Sequence, residues 1–298
     1  MLKRLITTIF LVAILLPLLL LPYQPIVIIS CIVFGFLAVF GSIEILNLTK
    51  KDRKYNIKTK IIAACSTSLI YFAVIASSSY NNYFNIYISF GIVLIVLAIE
   101  FSLLVFDKDF MAKDMSHLLL ATLYPAFGLG AIIILRLFDF KLVIYLLMIT
   151  SLTDAFAYMY GMLFGKHKMA SHISPKKTWE GSIAGSLVAT TVAGLYAVLY
   201  GNLFENHFCT IFGTTFMVFN DIKPIWQIVI IIVLTIILSI ASQIGDLVAS
   251  KLKRSYDVKD YSQLFPGHGG VMDRFDSSIF AGLLLTGFIF ILYFSVGI

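Results

Sequence analysis

The chain has 298 residues, of which 60% are hydrophobic and only 13% charged. Soluble globular proteins carry about 25% charged residues, so the composition excludes an ordinary soluble fold and leaves an integral membrane protein. The net charge of +6 does not point to nucleic acid, since no soluble stretch sets stacking aromatics beside basic residues; it follows from membrane topology, with a share for anionic headgroups.

A helix needs roughly 20 apolar residues to cross a bilayer. Nine stretches meet that need, at about 5–21, 26–46, 60–78, 84–105, 115–135, 141–163, 181–203, 225–248 and 278–297. They are continuous and do not alternate apolar with polar, which argues against strands. The first follows Lys3 and Arg4, as a signal peptide would. The next residues, Leu21-Pro22-Tyr23-Gln24-Pro25, offer no small-residue cleavage site, so a retained helix is expected. With the N-terminus inside, nineteen of the 22 Lys and Arg residues fall on the cytoplasmic side, and only Arg136, Lys141 and Lys223 fall outside. The positive-inside rule then places the C-terminus outside. The expected fold class is all-α, a polytopic helical bundle of about nine transmembrane helices, N-in and C-out. Residues 1–140 read as N-terminal scaffold helices, and 141–298 as the catalytic region with cytoplasmic polar loops.

In chain order, Glu44 and Glu100 either line a polar cavity or make a pairing or interfacial contact. The basic segment Lys50–Lys60 reads as a topology anchor, with lipid contact second. Pro125, with Gly128 and Gly130, is expected to break or bend span five and widen the space around it. Span six changes character at Asp154, about ten residues or roughly 15 Å of helix from the loop. Asp154 either pairs with a basic residue on another helix or serves substrate or metal. Tyr158, Gly161 and Gly165 share its face.

Next come Lys166 and then Ser174 to Gly181. Pro175 breaks helix, and Thr178 and Glu180 stand near the start of span seven, where free backbone N–H groups favour an anion. Lys176 and Lys177 taken alone read as positive-inside anchors. The loop 204–224 is outside and nearly uncharged, with His207 and Cys209 incidental. Cys31 and Cys65 read as packing residues; the three cysteines imply neither disulfide nor metal. His117, His167 and His172 lack ligand spacing.

Span eight places Asp246 about one turn from its cytoplasmic end, and the densest polar run follows, Ser250 to Asp276. Buried carboxylates are costly unless they hold a metal or pair with a cation. Gly267, Gly269 and Gly270 allow positive φ and close approach of a ligand to the backbone. His268 between them is either a hydrogen-bonded buried residue or part of a site. Cations beside carboxylates, with bare backbone, suit a phosphate and a divalent ion.

The run Ser250-Lys251-Leu252-Lys253-Arg254, then Lys259-Asp260, then Phe265-Pro266-Gly267-His268-Gly269-Gly270-Val271-Met272-Asp273-Arg274-Phe275-Asp276 resembles the signature of the phosphatidate cytidylyltransferase (CDP-diglyceride synthetase) family. A second similar block holds Asp154, Ala157-Tyr158, Gly161, Phe164-Gly165-Lys166, Ser174-Pro175-Lys176-Lys177-Thr178, Glu180-Gly181 and Gly185. Residues 1–140 carry no such likeness.

The resemblance implies that CTP and phosphatidate give CDP-diacylglycerol and pyrophosphate. It implies catalytic roles for Asp246, Asp273, Lys253, Arg254, His268 and Arg274. Substrate contacts would come from Asp154, Tyr158, Ser174, Lys176, Lys177, Thr178, Glu180, Lys259, Asp260, Gly269 and Gly270. Mg²⁺ would sit on Asp246 and Asp273 with Asp276 as a weaker ligand, and a second cation such as K⁺ is compatible. The implied partners are CTP, phosphatidate and membrane lipids, without nucleic acid; a homodimer stays open. The implied location is the plasma (inner) membrane, multi-pass, with the active site facing the cytoplasm. Two rivals remain. One is another membrane lipid phosphotransferase, of the polyprenol kinase kind. The other is a transporter, which would set its acids near the midplane in repeated halves; no repeat is visible.

Overall fold

A computed structural model describes residues 2–51, 55–78, 83–202, 210–215, 217–265, 267 and 269–295. Its helices are α1 (Leu2–Leu20), α2 (Gln24–Leu46), α3 (Ile57–Ala76), α4 (Tyr83–Phe106), α5 (Ala112–Phe138), α6 (Phe140–Phe164), α7 (Trp179–Tyr200), α8 (Ile211–Thr215), α9 (Pro224–Ser255) and α10 (Met272–Ser295). Two short strands, β1 (Lys168–Ala170) and β2 (Ser174–Thr178), join α6 to α7. Among the described residues, eight helices are long and apolar enough to cross a membrane, and α1 adds a shorter apolar stretch, Leu11–Leu20. The protein is thus an all-α polytopic membrane protein. Cys209, His207 and His268 lie outside the described residues.

Local chemistry sets the helix ends. Pro25 opens α2, where its missing N–H costs nothing. The Asp139 carboxylate accepts the Lys141 N–H at 3.0 Å and caps α6. Asp257 ends α9 in the left-handed region, φ 53°, while Val258 N–H bonds Lys253 C=O at 3.1 Å. That is a Schellman-type stop with Asp where Gly is commoner.

Three expectations are corrected. First, α9 runs on to Ser255, so Asp246 lies about 14 Å of helix from its end rather than one turn. Second, α10 begins at Met272, so Asp273 and Asp276 sit in its first turns. Third, the chain between α6 and α7 is an antiparallel hairpin, with Lys168 opposite Thr178 and Ala170 opposite Ser174. The strand period sends Lys176 outward and leaves Lys177 half-buried.

The chain forms two compact units. The first comprises residues 1–137 and 252–275. Within it α5 is the most buried span, at 72%, and α4 the least, at 17%. Phe90, Ile95, Val105 and Phe106 on α4 are exposed and suit lipid contact. Helix α5 runs continuously through Pro125, so of the expected break or bend the break does not occur. Gly130 lets α3 close in, since a Cβ there would stand 3.0 Å from Val74.

The second unit comprises residues 138–251 and 276–298. In lipid there is no hydrophobic drive between helices, so close packing and hydrogen bonds hold them. Gly181 and Gly185 on α7 press against Ala157, Gly161 and the Thr153 carbonyl on α6. A polar seam adds Thr153–Ser239 at 2.8 Å, Ser239–Ser186 at 2.9 Å and Gln243–Ser186 at 2.9 Å. Each such bond contributes about 0.6 kcal/mol on average.

Candidate active site

In the second unit the hairpin delivers Lys177 to Asp246. Its Nζ lies 2.5 Å from Oδ2, with both side chains about a quarter exposed. The contact is an ion pair rather than a well-directed hydrogen bond. The Asp154 carboxyl lies within reach of the Ser277 hydroxyl and in the field of Asp246 and Lys177. Ser250, one turn after Asp246, bonds it at 3.4 Å. Gly245 makes this grouping possible, because a Cβ there would overlap the Asp276 carbonyl of α10. One lysine thus serves two carboxylates, leaving net negative charge among oxygen donors.

In the first unit the polar run folds around Asp273. Its Oδ1 accepts from Lys253 Nζ at 2.6 Å. Its Oδ2 accepts the N–H groups of Tyr261 at 2.8 Å and Gly270 at 2.9 Å. The pair is nearly sealed, with side chains 10% and 3% exposed. Gly267 and Gly269 both hold φ of 79°, the conformation glycine adopts without penalty. Phe265 N–H to Gly269 C=O, at 2.9 Å, closes the turn.

Glu44 on α2 is the residue the sequence reading left undecided. Its carboxylate accepts from the Ser262 hydroxyl at 2.6 Å, from Val271 N–H at 2.9 Å and from Met272 N–H at 3.0 Å. It therefore holds the N-terminus of α10, where a carboxylate is favoured. Gly270 is required beside it, since a Cβ would overlap the carboxylate. His117 on α5 bonds Ile45 C=O at 2.8 Å and the Tyr256 hydroxyl at 3.1 Å, and ties the run after α9 to α2.

The remaining expected residues divide. Thr178 caps α7 by accepting the Gly181 N–H at 3.3 Å. Glu180 accepts the His167 N–H and meets its Nδ1 at 2.6 Å. Arg254 bonds the Val258 carbonyl at 2.9 Å. Lys176, Lys259, Asp260, Arg274 and Tyr158 are exposed, and Ser174 and Gly269 are half-buried. Asp276 Oδ1 accepts the N–H of the adjacent Ser277 at 2.9 Å. Asp246 and Asp273 belong to different units.

Among the described residues, no three His, Cys, Asp or Glu side chains converge at metal-binding spacing. Mg²⁺ commonly binds through one or two carboxylates and completes its shell with water and substrate phosphates. The exposed carboxyl of Asp154 and the half-exposed one of Asp246 fit that pattern. The Asp273 oxygens are spent on three protein donors.

The profile of the cytidylyltransferase family matches residues 2–293. Similar proteins include the phosphatidate cytidylyltransferase of Staphylococcus haemolyticus, 35% identical over 196 residues, and that of Staphylococcus saprophyticus subsp. saprophyticus, 34% identical over 196 residues. Each match covers 64% of this chain and 66% of the relative. The Staphylococcus aureus protein of that name is 34% identical over 177 residues, 59% of this chain and 60% of the other. The chain thus covers at most 66% of the length of these curated relatives.

Proposed function

The chain belongs to the cytidylyltransferase family, and we propose that it converts CTP and phosphatidate to CDP-diacylglycerol and pyrophosphate. The observation that carries the reading is the Lys177–Asp246 pair, 2.5 Å apart, with the Asp154 carboxyl in its field. A lipid phosphate oxygen, already anionic near neutral pH, attacks the α-phosphorus of CTP. The bond from that phosphorus to the β-bridging oxygen breaks, and pyrophosphate leaves with the charge. No proton has to move, so no Ser or Cys nucleophile and no strong base are needed.

What remains is to hold anions in line and neutralise the leaving group. Lys177 exchanges its carboxylate partner for a phosphate oxygen. Arg254, Lys259 and Arg274 offer exposed cations to the nucleotide phosphates. Asp273 and Lys253 fix the turn that presents them. Asp246 and Asp154 are the residues that would hold Mg²⁺. A bound ion would supply Lewis-acid stabilisation of the charge that gathers on the departing pyrophosphate. Asp273, Asp276 and His268 remain further candidates at this step, and K⁺ a candidate second cation.

The enzyme is placed in the plasma membrane with nine spans, N-in and C-out. Nineteen of 22 basic residues then lie on the cytoplasmic side, where CTP is. A reporter fused after Ile298 and active only outside the cytoplasm supports this, and cytoplasmic activity overturns it. For the reaction, purified protein is given labelled CTP, phosphatidate and Mg²⁺. Labelled CDP-diacylglycerol is expected, suppressed by EDTA and restored by Mg²⁺. Product formed at full rate in chelator removes the metal from the scheme.

A further inference from the structure

Within the first unit a cavity of about 290 Å³ is lined by Glu44, Asn47, Leu48, Val258, Tyr261, Ser262 and Gln263. We propose that this cavity receives the cytosine base of CTP. The inference rests on the reading of the chain as a CTP-using enzyme and names the part of the protein that recognises the base.

Four features support it. The cavity lies at the low end of small-molecule sites, which suits a single-ring base. Its wall mixes apolar surface from Leu48, Val258 and Tyr261 with amides and a carboxylate, the mixture an aromatic ring with a polar edge requires. Neither the Asn47 nor the Gln263 amide has a hydrogen-bond partner among the described residues. One wall residue also touches an exposed cation: the Val258 carbonyl accepts from Arg254 at 2.9 Å. A base in the cavity thus brings its triphosphate toward Arg254.

Glu44 explains the choice of base. An ionised carboxylate only accepts, at about four lone-pair sites. Three are taken by Ser262, Val271 and Met272, and the backbone donors fix its orientation. The remaining site accepts from the exocyclic amino group of cytosine and repels the carbonyl that uracil carries there. The Asn47 and Gln263 amides can donate to the ring nitrogen and carbonyl of cytosine, but amides can turn, so they add affinity more than choice.

The test is titration calorimetry of the purified full chain in detergent, with CTP and with UTP, in Mg²⁺ and without phosphatidate. Wild type is expected to bind CTP at least about tenfold tighter than UTP. Asn47→Ala and Gln263→Ala, whose side-chain amides have no hydrogen bond among the described residues, should each keep the unfolding temperature and weaken CTP about three- to tenfold. Glu44→Gln, which can turn a donor inward, should narrow the CTP/UTP ratio. If wild type binds CTP but both Ala variants bind it within twofold of wild type, the cavity is not the base site and the enzyme reading stands. If wild type binds no CTP, both fall.

Discussion

Two lysine–aspartate pairs, alike in sequence, differ in their surroundings. Lys253 and Asp273 are 10% and 3% exposed, and Asp273 also accepts two backbone N–H groups. Lys177 and Asp246 are 24% and 29% exposed, with a further carboxylate near by. A sealed and fully bonded pair cannot exchange partners without leaving a charge stranded. The Lys177 ammonium is also covered but makes no directed hydrogen bond, and the Asp246 side chain is 29% exposed, so this pair can trade its carboxylate for a phosphate. The first pair builds the turn, and the second is the one proposed to act on substrate.

The glycines divide in the same way. Gly161, Gly181 and Gly185 are small so that α6 and α7 can touch. Gly267 and Gly269 supply positive φ, and Gly270 makes room for Glu44.

The contrast can be broken by experiment. The largest expected effect is on stability: Lys253→Met strands the buried Asp273 and should cost about 3–5 kcal/mol, read as a lowered unfolding midpoint in detergent. Lys177→Met at the open pair should cost about 1 kcal/mol or less. Equal losses would erase the distinction.

Activity should invert the order. Asp246→Asn keeps the volume and removes a hard anionic ligand, so turnover should fall about 10²–10³-fold while the unfolding midpoint is retained. Unchanged turnover would take Asp246 out of the site.

The neighbouring lysines sharpen the point. Lys177→Gln should lower turnover about 100-fold, whereas Lys176→Gln, on the outward face of β2, should cost less than about tenfold. Kinetics in which Lys176 is the more costly would mean that the hairpin register does not choose between them.

The smallest effect tests the turn. Gly269→Ala places a Cβ at φ of 79° and 2.5 Å from the Asp273 carboxylate. A loss of about 1–2 kcal/mol is expected, seen by the same thermal assay. A neutral result would show that the turn tolerates a side chain.

The sequence made the spans legible, because a long apolar run in lipid has few ways to fold. Among the described residues, eight of the nine expected stretches coincide with helices long and apolar enough to cross a membrane, while the first holds only the shorter apolar stretch Leu11–Leu20; α9 and α10 carry polar residues past the apolar window. Hydropathy cannot see those extensions, since Lys251–Ser255 and Met272–Asp276 are helical through capping and packing. The hairpin was hidden for a related reason: Pro175 reads as a helix breaker, and strands of three and five residues are too short to show an apolar–polar alternation.

Glu44 was visible as an intramembrane acid, but its role was not. Its partners are a serine and two backbone amides more than two hundred residues away, and backbone donors leave no mark in composition. The lysine pair stood out, yet only the strand period tells Lys177 from Lys176.

The central claim is that the lipid receives a cytidylyl group and not a terminal phosphate. The direct measurement uses two parallel reactions of purified protein, phosphatidate and Mg²⁺, one with α-labelled and one with γ-labelled CTP. The account predicts α-label in the lipid fraction as CDP-diacylglycerol and γ-label in pyrophosphate. Recovery of γ-label in the lipid would show phosphoryl transfer of the kinase kind and contradict it.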